Sequence, residues 1–208
     1  MFKLSDEILQ ALQDATPTGF DQVSERRWVS EPRNAIRRII EFQALKGAYY
    51  SARWGFSVDF VPRLRSGRLS WKRSLKSADF DLTIDPIDIE GAATDWCSFP
   101  FDVKIRDARK TVDDVKRVAS LDLASIDTIN DLLDLFKRRS EMKFRRFGLA
   151  NYIQTDIAWG LSQLAAGEVV EGSDRIARFC EQFEIDPNSA ILTKARAEAL
   201  QAMGNGNA

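Results

Sequence analysis

The segment between Tyr50 and Phe60 has the clearest pattern in the sequence, because apolar and polar residues alternate along it without a break. A period of two places every second side chain of a β-strand on the same face. The apolar positions are Tyr50, Ala52, Trp54, Phe56, Val58 and Phe60. The polar positions are Ser51, Arg53, Gly55, Ser57 and Asp59. We therefore expect a half-buried strand that places Trp54 in the core and leaves its polar face in solvent.

Further strands and helices are predicted on either side of this segment. The other strand patterns lie at 20–29, 35–45, 80–84 and 99–105. The short connections between the first three β segments favour antiparallel pairing. Helical spacing of apolar residues occurs at 5–15, from Thr111 to about Arg139, at 151–166, at 173–183 and from Pro187 onward. Thr111 and Asp114 form a candidate capping box at the start of the long helix.

Strands in the first half of the chain and helices in the second half are the order of an α+β fold. We expect an antiparallel β-sheet of about four to six strands, flanked by helices, with a C-terminal helical subdomain. The predicted parts are a sheet domain at 1–110, a helical region at 111–203 and a disordered tail at 204–208. The helical region either packs on the sheet or forms a small bundle.

The composition is that of an ordinary globular protein, with 44% apolar and 29% charged residues. No apolar run approaches the roughly 20 residues that span a bilayer. The first residues turn acidic with no apolar stretch behind them, so we expect no secretory signal. Cys97 and Cys180 are distant from each other and are expected to be buried free thiols. These observations predict a cytoplasmic protein without a membrane segment.

Charged residues are grouped in blocks of opposite sign, although the net charge is only −1. Residues 22–76 carry a formal charge of +9, and residues 77–136 carry −8. The basic block either meets an acidic partner or faces the acidic block of the same molecule, and the near-neutral total favours the second. Its densest part is 63–76, where Trp71 is surrounded by Arg63, Arg65, Arg68, Lys72, Arg73 and Lys76.

A series of aromatic and glycine positions runs through residues 4–105. A short helix leads into Gly19-Phe20, Trp28 lies on the first strand, and a long strand holds residues 39–43. An aromatic strand with a glycine follows at 54–58, and Trp71 comes after a basic loop. This layout resembles the bacterial family called domain of unknown function 4304. The resemblance implies no activity or site residue, because the family has none assigned, and it invites comparison with immunity and phage-defence proteins only by analogy.

The residue types limit the catalytic chemistry that we expect. The chain has no histidine, which removes Ser-His-Asp and Cys-His mechanisms and imidazole-ligated zinc. Asp79, Asp81 and Asp85 share one strand face, which fits either a divalent metal site or a solvated edge that faces the basic block. Asp102-Val103-Lys104 resembles part of a restriction-like nuclease motif, but we find no second half. We therefore expect no catalytic residue, no metal and no cofactor.

Two surfaces are candidates for binding. Segment 63–76 fits single-stranded nucleic acid, with arginine on phosphate and tryptophan stacked on a base, or else a solvated loop whose Trp71 is fixed to the core. The polar sheet face fits a protein-binding platform, or else ordinary cross-strand ion pairs of arginine with glutamate or aspartate. The candidate binding residues are Arg37, Arg53, Arg65, Arg68, Trp71, Lys72 and Arg73.

The leading functional hypothesis is a non-enzymatic bacterial protein that binds another protein, such as an immunity-type or phage-defence-associated subunit. The first alternative is a nucleic-acid-binding module that uses residues 63–76. The near-neutral net charge argues against that alternative, since nucleic-acid binders usually carry a strongly basic footprint. A metal-dependent nuclease built on the acidic strand is the weaker alternative. The sequence leaves the oligomeric state open.

Overall fold

The computed structural model describes residues 4–45, 49–84, 97–141 and 155–205. Within them the fold is α+β, as predicted, with helices in the C-terminal part. The strands are β1 Phe20–Ser24, β2 Arg27–Ser30, β3 Ile36–Leu45, β4 Tyr49–Val58, β5 Arg63–Arg65, β6 Arg68–Ser70, β7 Leu82–Ile84 and β8 Ser98–Pro100. The helices are α1 Asp6–Asp14, α2 Ile105–Ala124, α3 Ile129–Glu141, α4 Thr155–Ala165, α5 Val169–Gln182 and α6 Ala190–Asn205.

Six of these strands form one sheet in the order β1-β2-β3-β4-β7, and β8 also pairs with β4. The pairs β1–β2, β2–β3 and β4–β8 are antiparallel. Strands β5 and β6 form a separate two-stranded antiparallel sheet. The single strand predicted at 20–29 is wrong, because the chain turns at Glu25 and Arg26 and makes two strands.

Strand β4 confirms the predicted core face and corrects the predicted polar face. Trp54 is fully buried, and so are its apolar neighbours along the strand. Its indole Nε1 donates a hydrogen bond to Asp122 Oδ2 at 2.8 Å. On the other face Ser51 and Ser57 are also buried, since other parts of the chain cover them. The strand is therefore packed on both faces, where the alternation predicted one face in solvent.

The helix boundaries differ from the predicted ones for local reasons. Helix α2 begins at Ile105, ahead of the predicted start at Thr111, and β8 ends at Pro100 where the sequence predicted a strand to residue 105. The long helix predicted from Thr111 is broken between Ala124 and Ile129. There Thr128 Oγ1 accepts a hydrogen bond from Asp131 N, and Asp131 Oδ2 accepts one from Thr128 N, which is a capping box that starts α3.

The remaining helices are shifted by a few residues. Helix α5 begins at Val169, before the predicted residue 173, and α6 begins at Ala190, beyond Pro187. Asp186 Oδ1 accepts a hydrogen bond from Asn188 N, a local turn that holds the segment around Pro187 out of the helix. Helix α6 runs to Asn205, and residues 206–208 of the predicted tail lie outside the described residues. Residues 151–154 of the predicted fourth helix also lie outside them.

The chain divides into two compact units, each made of three stretches. The first unit is Met1–Glu31, Arg38–Gly55 and Thr83–Ser125. The second unit is Pro32–Arg37, Phe56–Leu82 and Ile126–Ala208. Strands β3 and β4 contribute residues to both units, and the predicted domain boundary near residue 110 lies inside α2.

The first unit is held by an aromatic core and a helix pair. Trp28 packs edge-on against Phe42 with ring centroids 6.2 Å apart, and Phe42 lies 5.6 Å from Phe99. Helix α1 packs against α2. As predicted, Ser5 caps α1, because its Oγ accepts a hydrogen bond from Ile8 N at 3.3 Å.

The second unit contains the β5–β6 hairpin and helices α3 to α6. Phe136 of α3 stacks on Trp159 of α4 with ring centroids 5.5 Å apart. Helices α4 and α5 cross at Gly160 and Gly172, where a Cβ on Gly172 would lie 2.6 Å from the Gly160 carbonyl oxygen. Only glycine allows this close approach of the two backbones. No helix among the described residues is both long and apolar enough to cross a membrane.

Candidate functional site

Segment 63–76, the basic segment, begins with strands β5 and β6. We call these strands and their turn, residues 63–70, the basic hairpin. Its turn is Ser66-Gly67, with φ angles of 51° and 73°. Positive φ at both central positions defines a type I′ turn, which matches the twist of a hairpin with a two-residue loop, and glycine suits the second position. The cross-strand pairs are Arg63 with Ser70, Leu64 with Leu69 and Arg65 with Arg68.

The tip of the basic hairpin carries two cations that face each other. Arg65 and Arg68 are directly opposite across the two strands, and both are exposed. Neither guanidinium has a hydrogen-bond or carboxylate partner within the described part of the chain. Like charges directly opposite each other in a sheet are destabilising. The tip therefore holds a positive charge that no contact with the described residues compensates.

The base of the basic hairpin is fixed by ion pairs with the following acidic segment. Arg63, the first residue of β5, lies 3.7 Å from Asp79 Oδ2. Lys72, just beyond β6, forms a buried ion pair with Asp81. Lys72 Nζ also donates to Ser57 Oγ at 3.1 Å and to the Asp79 carbonyl oxygen at 3.2 Å. These contacts support the hypothesis that the basic block faces the acidic block of the same molecule.

The Lys72–Asp81 pair lies wholly out of solvent, with both side chains at 0% exposure. Burial raises the pKa of Asp81 to about 6, although the Lys72 ammonium and the Val58 N–H, 2.7 Å from Oδ2, both favour the carboxylate. Burial likewise lowers the pKa of Lys72, against the attraction of Asp81. Lys72 was a candidate binding residue, but a cation with no exposed surface cannot reach a phosphate, so the structure removes it from the binding set.

We expect the carboxyl group of Asp81 to titrate near pH 6, instead of near its ordinary value of 3.8. The native pKa lies above the unfolded one, so this group's contribution to stability is complete below about pH 3.8 and is lost as the pH rises through about 6. The measurement is the pH dependence of the Asp81 side-chain carboxyl ¹³C resonance. The reference is the ordinary aspartate value of 3.8. A midpoint at that value would contradict the burial argument.

The predicted sheet-face arginines are held in ion pairs within their own units. Arg37 is 5% exposed, and its Nε and Nη2 donate to the two Asp59 oxygens at 2.6 and 3.2 Å. In the first unit, Arg53 Nη2 donates to Glu41 Oε2 at 3.0 Å. Cross-strand arginine–carboxylate pairs were one of the two interpretations of this face. The structure confirms these pairs, so neither guanidinium is a free anchor for a partner.

Two further candidate residues, Trp71 and Arg73, contact each other and side chains of helix α6. The Arg73 guanidinium lies over the Trp71 ring, 3.9 Å from its centroid, and Lys194 Nζ lies 5.9 Å from the same centroid. Arg73 also forms an ion pair with Glu198. A base could stack on the covered face of Trp71 only by displacing Arg73. The sequence did not reveal the α6 partners, because they lie more than a hundred residues downstream.

Two of the three aspartates that suggested a metal site form ion pairs with cations of the basic segment. Asp79 pairs with Arg63 and Asp81 with Lys72, while Asp85 lies outside the described residues. The described residues contain no group of three acidic, cysteine or histidine side chains that could hold a metal ion. Asp102 and Lys104 do not share a strand, since they lie between β8 and the start of α2.

An open groove in the first unit has mixed charge. It lies between the N-terminal parts of α1 and α2, with Glu7 on one wall and Arg109 and Lys110 on the other. Asp113 and Asp114 line the same wall as these two cations. Charges of both signs are interspersed along the groove, so it selects neither an anionic nor a cationic ligand. The basic hairpin, whose tip has one sign of charge, is therefore the better candidate site.

Comparison with known proteins provides no function by similarity. No family model, curated protein or solved structure matches the chain. Membership in the family of unknown function 4304 therefore stays a prediction from the sequence. We therefore infer the function from the geometry of the basic hairpin.

Proposed function

We propose that this chain is a non-enzymatic protein that binds an acidic surface of another protein through the tip of its basic hairpin. The observation that carries the proposal is the pair Arg65 and Arg68. These two exposed guanidiniums are opposite each other and have no internal counter-charge in the described residues. A carboxylate-bearing partner would relieve their repulsion and accept hydrogen bonds from both. Arginine is also enriched at protein interfaces.

The limited number of free cations favours a protein partner over nucleic acid. Of the basic residues in 63–76, Arg63, Lys72 and Arg73 pair with carboxylates of this chain. The exposed Lys76 remains beside Arg65 and Arg68, so if all three cations contact phosphates, the slope of log affinity against log salt for a single strand is only about −2.1, since each phosphate contributes about −0.7. So few phosphate contacts contribute little electrostatic affinity at physiological salt. In addition, Arg73 covers one face of Trp71, so a base could stack on that face only by displacing Arg73.

The most perturbed ionisable groups do not support catalysis. Perturbed pKa values often mark active sites, and Lys72 and Asp81 are the strongest candidates on that criterion. Both side chains are fully buried and neutralise each other, so neither can contact a substrate. Their position beside the base of the basic hairpin fits a role in fixing the hairpin.

We also propose a cellular location and a biological role for the chain. Both cysteines are buried free thiols, which supports a reducing, cytoplasmic location. On the sequence resemblance alone, we include the hypothesis of a bacterial immunity-type or phage-defence-associated subunit. In either role the chain acts by occupying an acidic face of its partner.

We expect an acidic peptide, and not a single-stranded nucleic acid, to bind the basic hairpin. The probes are an eight-residue oligoglutamate and an eight-nucleotide single strand, each added to isotope-labelled protein at about 150 mM salt. The peptide should shift the amide resonances of Arg65 and Arg68, while the oligonucleotide should leave them in place. Micromolar binding of the oligonucleotide with a steep salt dependence would establish the nucleic-acid alternative. If neither probe shifts these resonances, the proposal is wrong.

We expect that replacing Arg65 and Arg68 together by alanine will not destabilise the protein. The two side chains repel each other, so the free energy of unfolding should stay the same or rise by up to about 0.5 kcal/mol. Arg63→Ala is the matched control, since it removes the pair with Asp79 and should cost about 0.2–1 kcal/mol. Denaturant titration of the wild type and of both variants measures these changes. A loss of more than about 1 kcal/mol in the double variant would show that the two arginines have a structural role.

A further inference from the structure

We propose that the acidic partner binds as an extended segment, which adds a third strand to the outer edge of β6. This inference rests on the proposed function and adds the binding mode and the form of the partner. Its basis is the direction of the backbone polar groups in the basic hairpin, together with the charge of its tip.

The register of the basic hairpin determines which backbone groups point outward. Arg65 and Arg68 are opposite each other with only two residues between them, so this pair must exchange both of its ladder hydrogen bonds. Pairs alternate along an antiparallel ladder, so the next pair, Leu64 and Leu69, does not exchange hydrogen bonds. The N–H and C=O groups of Leu64 and Leu69 therefore point away from the hairpin, one residue on each edge.

The two edges of the basic hairpin differ in whether their outward backbone groups have partners. Leu64, on the β5 edge, already has a partner. Leu69, on the β6 edge, has no backbone partner among the described residues. An outward N–H and C=O on an edge strand are a template for an added strand. The β6 edge is consequently the one that can accept a third strand.

The charges next to this edge select the segment that would be added. Side chains alternate between the two faces of a strand, so Arg65 and Arg68 lie on one face and Leu64 and Leu69 on the other. A segment with an acidic residue at every second position would place its carboxylates on the arginine face. Strand β6 has only three residues, so the added strand gains few backbone hydrogen bonds and depends on the ion pairs for much of its affinity.

The backbone contribution can be separated from charge with three versions of one peptide. The parent is an eight-residue peptide of alternating glutamate and threonine. The second version is N-methylated at every glutamate, and the third at every threonine, which leaves the charge unchanged. In an added strand, all nitrogens of one residue type face β6, and those of the other type face away. We expect one methylated version to lose at least tenfold in affinity and the other to stay within about threefold of the parent.

The readouts are the amide resonance and the amide hydrogen exchange rate of Leu69, measured with the wild-type chain and with the Arg65→Ala, Arg68→Ala double variant. The parent peptide should slow exchange at Leu69 in the wild type and have no effect in the double variant. Equal affinity of all three peptides at the hairpin would overturn strand addition but leave the proposed function intact. If no peptide perturbs the hairpin, the proposed function is wrong as well.

Discussion

Replacing Lys72 by methionine is expected to destabilise the protein by about 3–5 kcal/mol at pH 7, the usual cost of removing one partner from a buried ion pair. The change leaves the Asp81 carboxylate in a site with no exposure and no counter-charge. Among the described residues Asp81 Oδ1 already lacks a hydrogen-bond partner in the wild type, so the side-chain interaction that remains there is the hydrogen bond from Val58 N to Oδ2. Denaturant unfolding at pH 7 measures the loss.

Three comparisons make this prediction specific. Lys76→Met removes an exposed cation of the same segment and should change stability by less than about 0.5 kcal/mol. Adding Asp81→Leu to Lys72→Met should recover much of the loss, because no unpaired charge then remains buried. The cost of Lys72→Met should also shrink at pH 5, where the Asp81 carboxyl is neutralised by a proton. Equal costs for Lys72→Met and Lys76→Met would show that the pair is not buried in solution.

Replacing Trp54 by alanine should cost about 3–5 kcal/mol, the range for removing a large aromatic side chain from a core. Trp54 is fully buried on β4, and its indole is hydrogen-bonded to Asp122. Trp54→Phe keeps most of the volume and should cost less. Trp71→Ala is the control for loss of a tryptophan, because Trp71 is only half-buried. A Trp54→Ala midpoint equal to that of the wild type would mean that Trp54 is not buried in the core.

The local parts of the fold could be predicted because their signals lie close together in sequence. The alternation at Trp54 and Phe56 identified the core face of β4, and Ser5 identified the start of α1. The capping box of Thr128 and Asp131 was also present in the sequence. Apolar residues nevertheless keep a helical spacing across the break between α2 and α3, so the periodicity alone predicts one continuous helix there.

The burial of the polar face of β4 could not be predicted from alternation. Ser57 is buried because Lys72 and Asp81, which are far along the chain, fold back onto that face and bring their charges as a pair. An isolated Lys72 in a basic run is typically a solvated surface residue. Only the three-dimensional pairing with Asp81 shows that it belongs to the interior.

The candidate site could be predicted in part, because segment 63–76 was identified as the densest basic segment. The sequence could not show which cations were internally paired. Arg63 and Arg73 pair with carboxylates of this chain, while Arg65 and Arg68 lie at the hairpin tip without such partners in the described residues. Pairing within the molecule therefore accounts for Arg63 and Arg73, while binding of an acidic partner is the interpretation left for Arg65 and Arg68.

The most direct test of the central claim compares oligoglutamate affinity for two variants that lose the same charge. One is Arg65→Ala with Arg68→Ala. The other is Arg109→Ala with Lys110→Ala, which removes two exposed cations from α2 in the first unit. If the hairpin tip is the docking site, the dissociation constant of the eight-residue peptide should rise at least tenfold for the hairpin variant and less than about twofold for the α2 variant. Equal weakening in both variants would mean that the peptide senses only net charge, and would contradict the assignment of the site.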